Sequence, residues 1–335
     1  MAWDLTLIWA GVIGLAVALY VILDGFDLGI GILFPFTKND SERDQMVTSI
    51  APFWDGNETW LVLGGAGLWV AFPQAYAVIM SALYLPVIMM LLALVFRGVA
   101  FEFRTVAVIS KRYWNFAFSA GSMIAALCQG MILGGLIQGI KVENGAYAGG
   151  AFDWATPFAL LCGLGVLTGY ALLGATWLVM KTEGPLAERA RRQAKILLLG
   201  VLGFMGLVSL WTPIAFERIA VRWFSTPNIF YLSPVPILTA LTAFATWWWL
   251  DKGRNMAPFF GAIALFLLGY LGLVISVFPY LVPPSLTIWQ AAAAPASQSF
   301  MLAGTLPLLP IILGYMVFVY WVFRGKIREG EHYHH

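Results

Sequence analysis

Charge is scarce in this chain. Asp, Glu, Lys and Arg make up 11% of its 335 residues, against about 25% in soluble globular proteins. No stretch is polar enough to form a hydrophilic domain. Histidine is scarcer still. His332, His334 and His335 are the only ones, all at the extreme C-terminus. No apolar run contains a His, so the chain supplies no intramembrane imidazole to haem iron. Cysteine is limited to Cys128 and Cys162, in different apolar runs and without a C-x-x-C pair. A thiolate zinc or iron–sulfur site is therefore not expected, and buried free thiols are the simple reading. A phosphate-binding loop, an HExxH helix and a dinucleotide glycine fingerprint are also missing. No basic patch of the nucleic-acid kind is present. If redox chemistry takes place, another polypeptide holds the metal.

What the chain has is apolar length. Hydrophobic residues make up 61% of it, arranged in runs of the ~20 residues that cross a bilayer. Only closed backbone structures such as helices satisfy their own hydrogen bonds there. The fold class is therefore an all-α polytopic membrane protein, a single transmembrane helical domain over 1–335. Nine transmembrane helices are expected, at about 5–36, 50–72, 76–100, 113–140, 155–180, 192–216, 232–250, 257–282 and 302–323. The first run lacks a basic leader and a small-residue cleavage site, so it reads as a retained helix. Of 19 Lys and Arg residues, only Lys141, Arg218 and Arg222 fall on one side of this arrangement. The positive-inside rule then places the N-terminus outside and the C-terminus in the cytoplasm. Trp at span ends, as at Trp154 and Trp321, suits interfacial anchoring, and Gly64–Gly67 and Gly163–Gly165 suit close helix packing.

Against this background the acids inside spans stand out. The second span contains Asp55 and Glu58, three residues apart and so on one helix face. The first contains Asp24 and Asp27 with the same spacing, and the third ends with Arg97, Glu102 and Arg104. Those of the first two spans fall in the cytoplasmic half. A charge at mid-bilayer costs at least ~2.5–3.5 kcal/mol, so such groups face a bundle interior, a partner or water. Proton transfer is one reading of them. Backbone capping by Asp55 and Asn57 or their pairing with Arg97, interhelical hydrogen bonding by Glu58, Asp24 and Asp27, and a structural counter-ion role for Arg97 are the others. Trp54 reads as packing or as a contact with a partner.

Four blocks carry a family resemblance: DGFDLGIG at 24–31, SIAPFWDGNETWL at 49–61, FRGVAFEFR at 96–104 and FPYLVPPSLTIW at 278–289. Their order and spacing resemble subunit II of the cytochrome bd-type quinol oxidases over nearly the whole chain. The compact length resembles the cyanide-insensitive branch. The resemblance implies a respiratory terminal oxidase in the bacterial inner membrane, reducing oxygen to water with quinol as substrate. It implies a haem-bearing subunit I with two haems b and one haem d, lipid contact, and in some cases a small single-span subunit. Subunit II would not be catalytic alone and would ligate neither haem nor metal. By position, Asp55 and Glu102 would deliver protons from the cytoplasmic side; Glu58, on the Asp55 face, joins that pathway on the residue reading alone. Asp24 and Asp27 match the family block without a clear role. A proton-coupled secondary transporter is the alternative class, and a purely structural subunit with inert acids is the third.

Overall fold

A computed structural model describes residues 4–37, 39–107 and 109–327. Lys38, Arg328 and the three histidines lie outside the described residues. The described chain is almost entirely helical: α1 (Leu5–Leu33), a short 3-10 turn (Phe34–Phe36), α2 (Asp40–Ile50), α3 (Trp54–Ala71), α4 (Pro73–Val106), α5 (Lys111–Gln138), α6 (Pro157–Lys181) and α7 (Gly184–Ala215). Then follow α8 (Glu217–Phe224), α9 (Asn228–Leu232), α10 (Pro234–Asp251), α11 (Ala257–Val277) and α12 (Pro295–Val322). Two small antiparallel hairpins interrupt them, β1–β2 (Val142–Glu143, Ala146–Tyr147) and β3–β4 (Tyr280–Val282, Leu286–Thr287).

Among the described residues, eight helices are long and apolar enough to cross a membrane. The span read at 50–72 corresponds to α3, which is not among the eight. It has 18 residues, and its first two turns carry Asp55, Asn57, Glu58 and Thr59. Other boundaries move outward. The span read at 76–100 is a helix of 34 residues and that read at 192–216 one of 32, because a helix does not stop where its apolar face ends. The segment read at 257–282 ends as a helix at Val277, before Pro279, which cannot continue it. Residues 40–50, read as loop, form α2. Asn39 caps it by accepting from the Ser41 N–H, and Asp40 and Glu42 favour its N-terminal turn. The Arg43 guanidinium, 2.9 Å away, holds the Asp40 carboxyl below its ordinary range.

α1, α4, α5 and α6 form the centre. The DGFDLGIG block makes the α1–α6 crossing close: a Cβ on Gly29 would lie 2.0 Å from the Tyr170 carbonyl oxygen, and one on Gly174 2.5 Å from the Gly29 carbonyl carbon. Only glycine admits such an approach of two backbones. α4 is kinked: Leu83 leaves helical geometry at φ −118°, ψ 17°, three residues before Pro86. The proline lacks the N–H that Ala82 would accept, and its ring crowds that carbonyl. At the end where α1 starts, the β3–β4 hairpin covers the bundle. The Ile140 N–H donates to the Pro283 oxygen at 3.0 Å, and the Trp289 indole donates to Asp4 Oδ2 at 2.9 Å. Asp4 also caps α1 through the Thr6 and Leu7 N–H groups, and these bonds, the indole's first, hold its carboxyl below the usual range.

Candidate functional site

The polar centre lies where α1, α3 and α4 meet. Asp24 and Asp27 are one turn apart on α1, and both side chains are wholly buried. Arg97 of α4, also buried, donates through Nη1 to Asp24 Oδ1 at 2.8 Å and to Glu58 Oε2 at 3.4 Å. Glu58 of α3 is 30% exposed in the isolated chain, so it connects the buried pair to the surface. Asn57, next to it on α3, donates through Nδ2 to Asp27 Oδ2 at 2.7 Å. The Tyr320 hydroxyl of α12 donates to Asn57 Oδ1 at 2.9 Å. On the other side of α1, the Tyr170 hydroxyl donates to Gln129 Oε1 at 2.7 Å, and Gln129 Nε2 donates to the Tyr20 hydroxyl oxygen at 2.6 Å. Tyr20 lies one turn before Asp24 and faces its carboxyl.

Six helices thus contribute to one polar cluster. Three carboxyls face a single guanidinium in it, so the cluster is neutral only when protons reside on it. Asp24 Oδ2, Asp27 Oδ1, Arg97 Nε and Arg97 Nη2 are buried without a hydrogen-bond partner among the described residues. Orphaned polar atoms of this kind are uncommon in protein interiors and suit a site for bound water.

The other sequence-derived residues sit outside this cluster. Asp55, in the first turn of α3, and Glu102, near the end of α4, are both exposed on the chain's surface. Trp54 packs on Phe101 with ring centroids 5.0 Å apart, so the neighbouring residues Asp55 and Glu102 lie at the same level of adjacent helices. Glu102 makes no ion pair among the described residues. Arg104, in the same block, pairs with Asp44 of α2 at 2.7 Å and donates to Asn115 Oδ1 at 2.7 Å. Lys111 reaches the same Asp44 at 3.2 Å, and Arg189 pairs with Glu42. These bonds fasten α2 across the ends of α4, α5 and α7.

Sequence reading missed Tyr20, Gln129, Tyr170 and Tyr320, and took Asn57, like Asp55, for a backbone cap or a partner of Arg97; α3 has no side-chain cap, and Asn57 bonds Asp27 and Tyr320 instead. A signal existed for Tyr20: positions 20, 24 and 27 share one helix face. Gln129 and Tyr320 are single polar groups in apolar runs, with nothing local to mark them. Among the described residues no group of His, Cys, Asp and Glu could hold a metal ion, and no His is present within 4–327.

Comparison with known proteins matches this arrangement to a family. The family model for cytochrome bd terminal oxidase subunit II matches residues 5–323. The cytochrome bd-I ubiquinol oxidase subunit 2 of Escherichia coli K12 is 30% identical over 371 aligned residues, covering 98% of this chain and 96% of the relative. The cytochrome bd ubiquinol oxidase subunit 2 of Bacillus subtilis is 28% identical, covering 93% and 94%. The fold is similar to a chain in the structure of the bd oxidase from Geobacillus thermodenitrificans, with a TM-score of 0.78 at 18% identity, covering 96% of this chain and 99% of that one. A helical chain with an acid cluster around one buried arginine, matched by that family model from its first helix to its last, belongs to the cytochrome bd terminal oxidase subunit II family.

Proposed function

We propose that this chain delivers protons from the cytoplasm to a haem-bearing partner subunit, through Asp55, Glu58 and Glu102. Family membership makes it one subunit of a haem-containing quinol oxidase of the bacterial inner membrane, which removes the secondary-transporter alternative. The two haems b and the haem d belong to subunit I in this reading. Quinol is oxidised by the complex and oxygen reduced to water there. A small single-span subunit and bound lipid complete the assembly. The chain itself crosses the membrane nine times, with α3 as the additional span, its N-terminus outside and its C-terminus in the cytoplasm.

One observation carries the proton route: Asp55 and Glu102 are exposed on α3 and α4 beside Val95, Phe96, Val99 and Phe103, which are exposed too. An ionisable side chain facing lipid costs ~2.5–3.5 kcal/mol or more on insertion scales. The two carboxyls are therefore better accommodated under a partner subunit than against acyl chains. Glu58, one turn beyond Asp55, reaches inward to Arg97. Proton exchange then passes between a covered surface and a buried cluster with vacant hydrogen-bonding capacity.

Asp55→Asn and Glu102→Gln keep size and polarity but carry no exchangeable acid proton. In the purified complex each is expected to lower quinol-oxidase turnover by roughly tenfold or more, the scale of a lost proton donor, with haem content unchanged. Full turnover at full haem content in both variants would remove the route and leave a structural subunit.

A further inference from the structure

The buried side chains of this protein are segregated along the bundle. The polar cluster occupies the half where α1 ends and α3 starts. The opposite half, where α1 starts, is closed by an apolar layer. It is built from Trp9 of α1, Phe72 between α3 and α4, Val78 of α4, and Val282, Leu286 and Ile288 of the hairpin segment, all buried. The fifteen residues from Trp9 to Asp24 correspond to about 22 Å of helix, and the nineteen from Val78 to Arg97 to about 28 Å. Among the described residues, the orphaned atoms of Asp24, Asp27 and Arg97 all lie beyond this layer; at the capped end the unpartnered atom is Arg218 Nη1, on a side chain that donates through Nη2 to the Ile137 oxygen at the rim. At its rim the buried Gln298 side chain donates through Nε2 to the Ala71 oxygen, and the main-chain carbonyl of Gln298 accepts from the Trp9 indole.

The hairpin is part of the FPYLVPPSLTIW block, which the proton route does not use. It is fixed from several directions. Its Pro283 oxygen takes the Ile140 N–H, the Phe278 oxygen takes an Arg222 N–H at 2.8 Å, and Trp289 reaches Asp4. It closes the bundle end with Val282 fully buried.

Protons cross a protein along water or hydrogen-bonding groups. Close-packed apolar side chains offer none, and small apolar cavities stay dry. A subunit that draws protons to its centre from one aqueous side has to withhold them from the other, or the gradient is short-circuited.

We propose that this apolar cap, with the β3–β4 hairpin as its lid, is the proton seal of the subunit. The seal rests on the proton-route reading for its purpose, but its test is separate. Asp55→Asn reads turnover, whereas the cap is read as passive leak, and either result can fail while the other stands.

The experiment uses the complete oxidase complex in phospholipid vesicles holding a pH-sensitive dye. A pH gradient is imposed without quinol, and its decay is followed. The unmodified complex is expected to hold the gradient as long as protein-free vesicles do. Val78→Asp and Val282→Asp place a carboxyl inside the layer, and are expected to speed the decay several-fold with haem content and turnover unchanged. Val78→Thr replaces one methyl by a hydroxyl of similar size, an uncharged polar group that costs less to bury than a carboxyl; it is expected to assemble where the Asp variants fail, and to leak more than the unmodified complex. A fast decay with the unmodified complex overturns the proposal. So does a decay in the assembled variants no faster than in the unmodified complex.

Discussion

At the scale of single residues, Arg97 organises the interior. It is the guanidinium facing Asp24 and Glu58, and it is 1% exposed. Removing one member of a buried ion pair leaves the other charge uncompensated, at a cost of about 3–5 kcal/mol. Arg97→Leu is therefore expected to lower the thermal unfolding midpoint of the purified complex, or its yield, more than Asp55→Asn does. Asp55 is at the surface of this chain and has no such buried partner. Equal midpoints for the two variants would contradict this account of the cluster. Asp55, Glu58, Asp24, Asp27, Arg97 and Glu102 were all legible as residues because charge in an apolar run is conspicuous. Their division into a buried set and a surface set was not, since helical spacing says which residues share a face and not what that face meets.

At the scale of elements, the glycines of α1 and α6 matter more than their composition suggests. Gly29→Ala would press a methyl group against the Tyr170 carbonyl, and Gly174→Ala against the Gly29 backbone. Backbone cannot yield as a side-chain end does. Each variant is expected to cost about 1–3 kcal/mol or more by overpacking. Gly11→Ala, with nothing within 4 Å of its added Cβ, is expected to stay within about 0.5 kcal/mol of the parent. Melting curves of the three complexes, side by side, check this ordering. If Gly11→Ala falls with the others, the α1–α6 approach is not what limits stability. The DGFDLGIG block therefore has two functions in the fold: its acids join the polar cluster, and its glycines let α6 come close. The short helix α2 shows the reverse case. Its sequence is too polar for a span and was read as loop, yet Asp44 and Glu42 fix it to Arg104, Lys111 and Arg189.

At the scale of the whole molecule, the distribution of Lys and Arg predicts sidedness. An impermeant thiol reagent added outside intact cells is expected to label a Cys placed at Asn144, in the β1–β2 turn. A Cys placed at Gly253, between α10 and α11, should react only after permeabilisation. Labelling of both from outside would remove the nine-span arrangement, and reversed labelling would invert it. With that labelling, the polar cluster would face the cytoplasm and the apolar cap the exterior.

By itself the sequence determined that this is a helical membrane protein, where its long spans lie and which few residues carry charge inside them. These are local properties: hydropathy over a window, spacing along a helix, and the cost of charge in lipid. Tertiary structure alone decided that Asp24, Asp27, Asn57, Glu58 and Arg97 meet Tyr20, Gln129, Tyr170 and Tyr320 in one cluster. It also decided that a proline-rich hairpin closes the far end of the bundle. Those contacts join residues as much as 285 positions apart, and they depend on how closely neighbouring helices approach, which no window along the chain records.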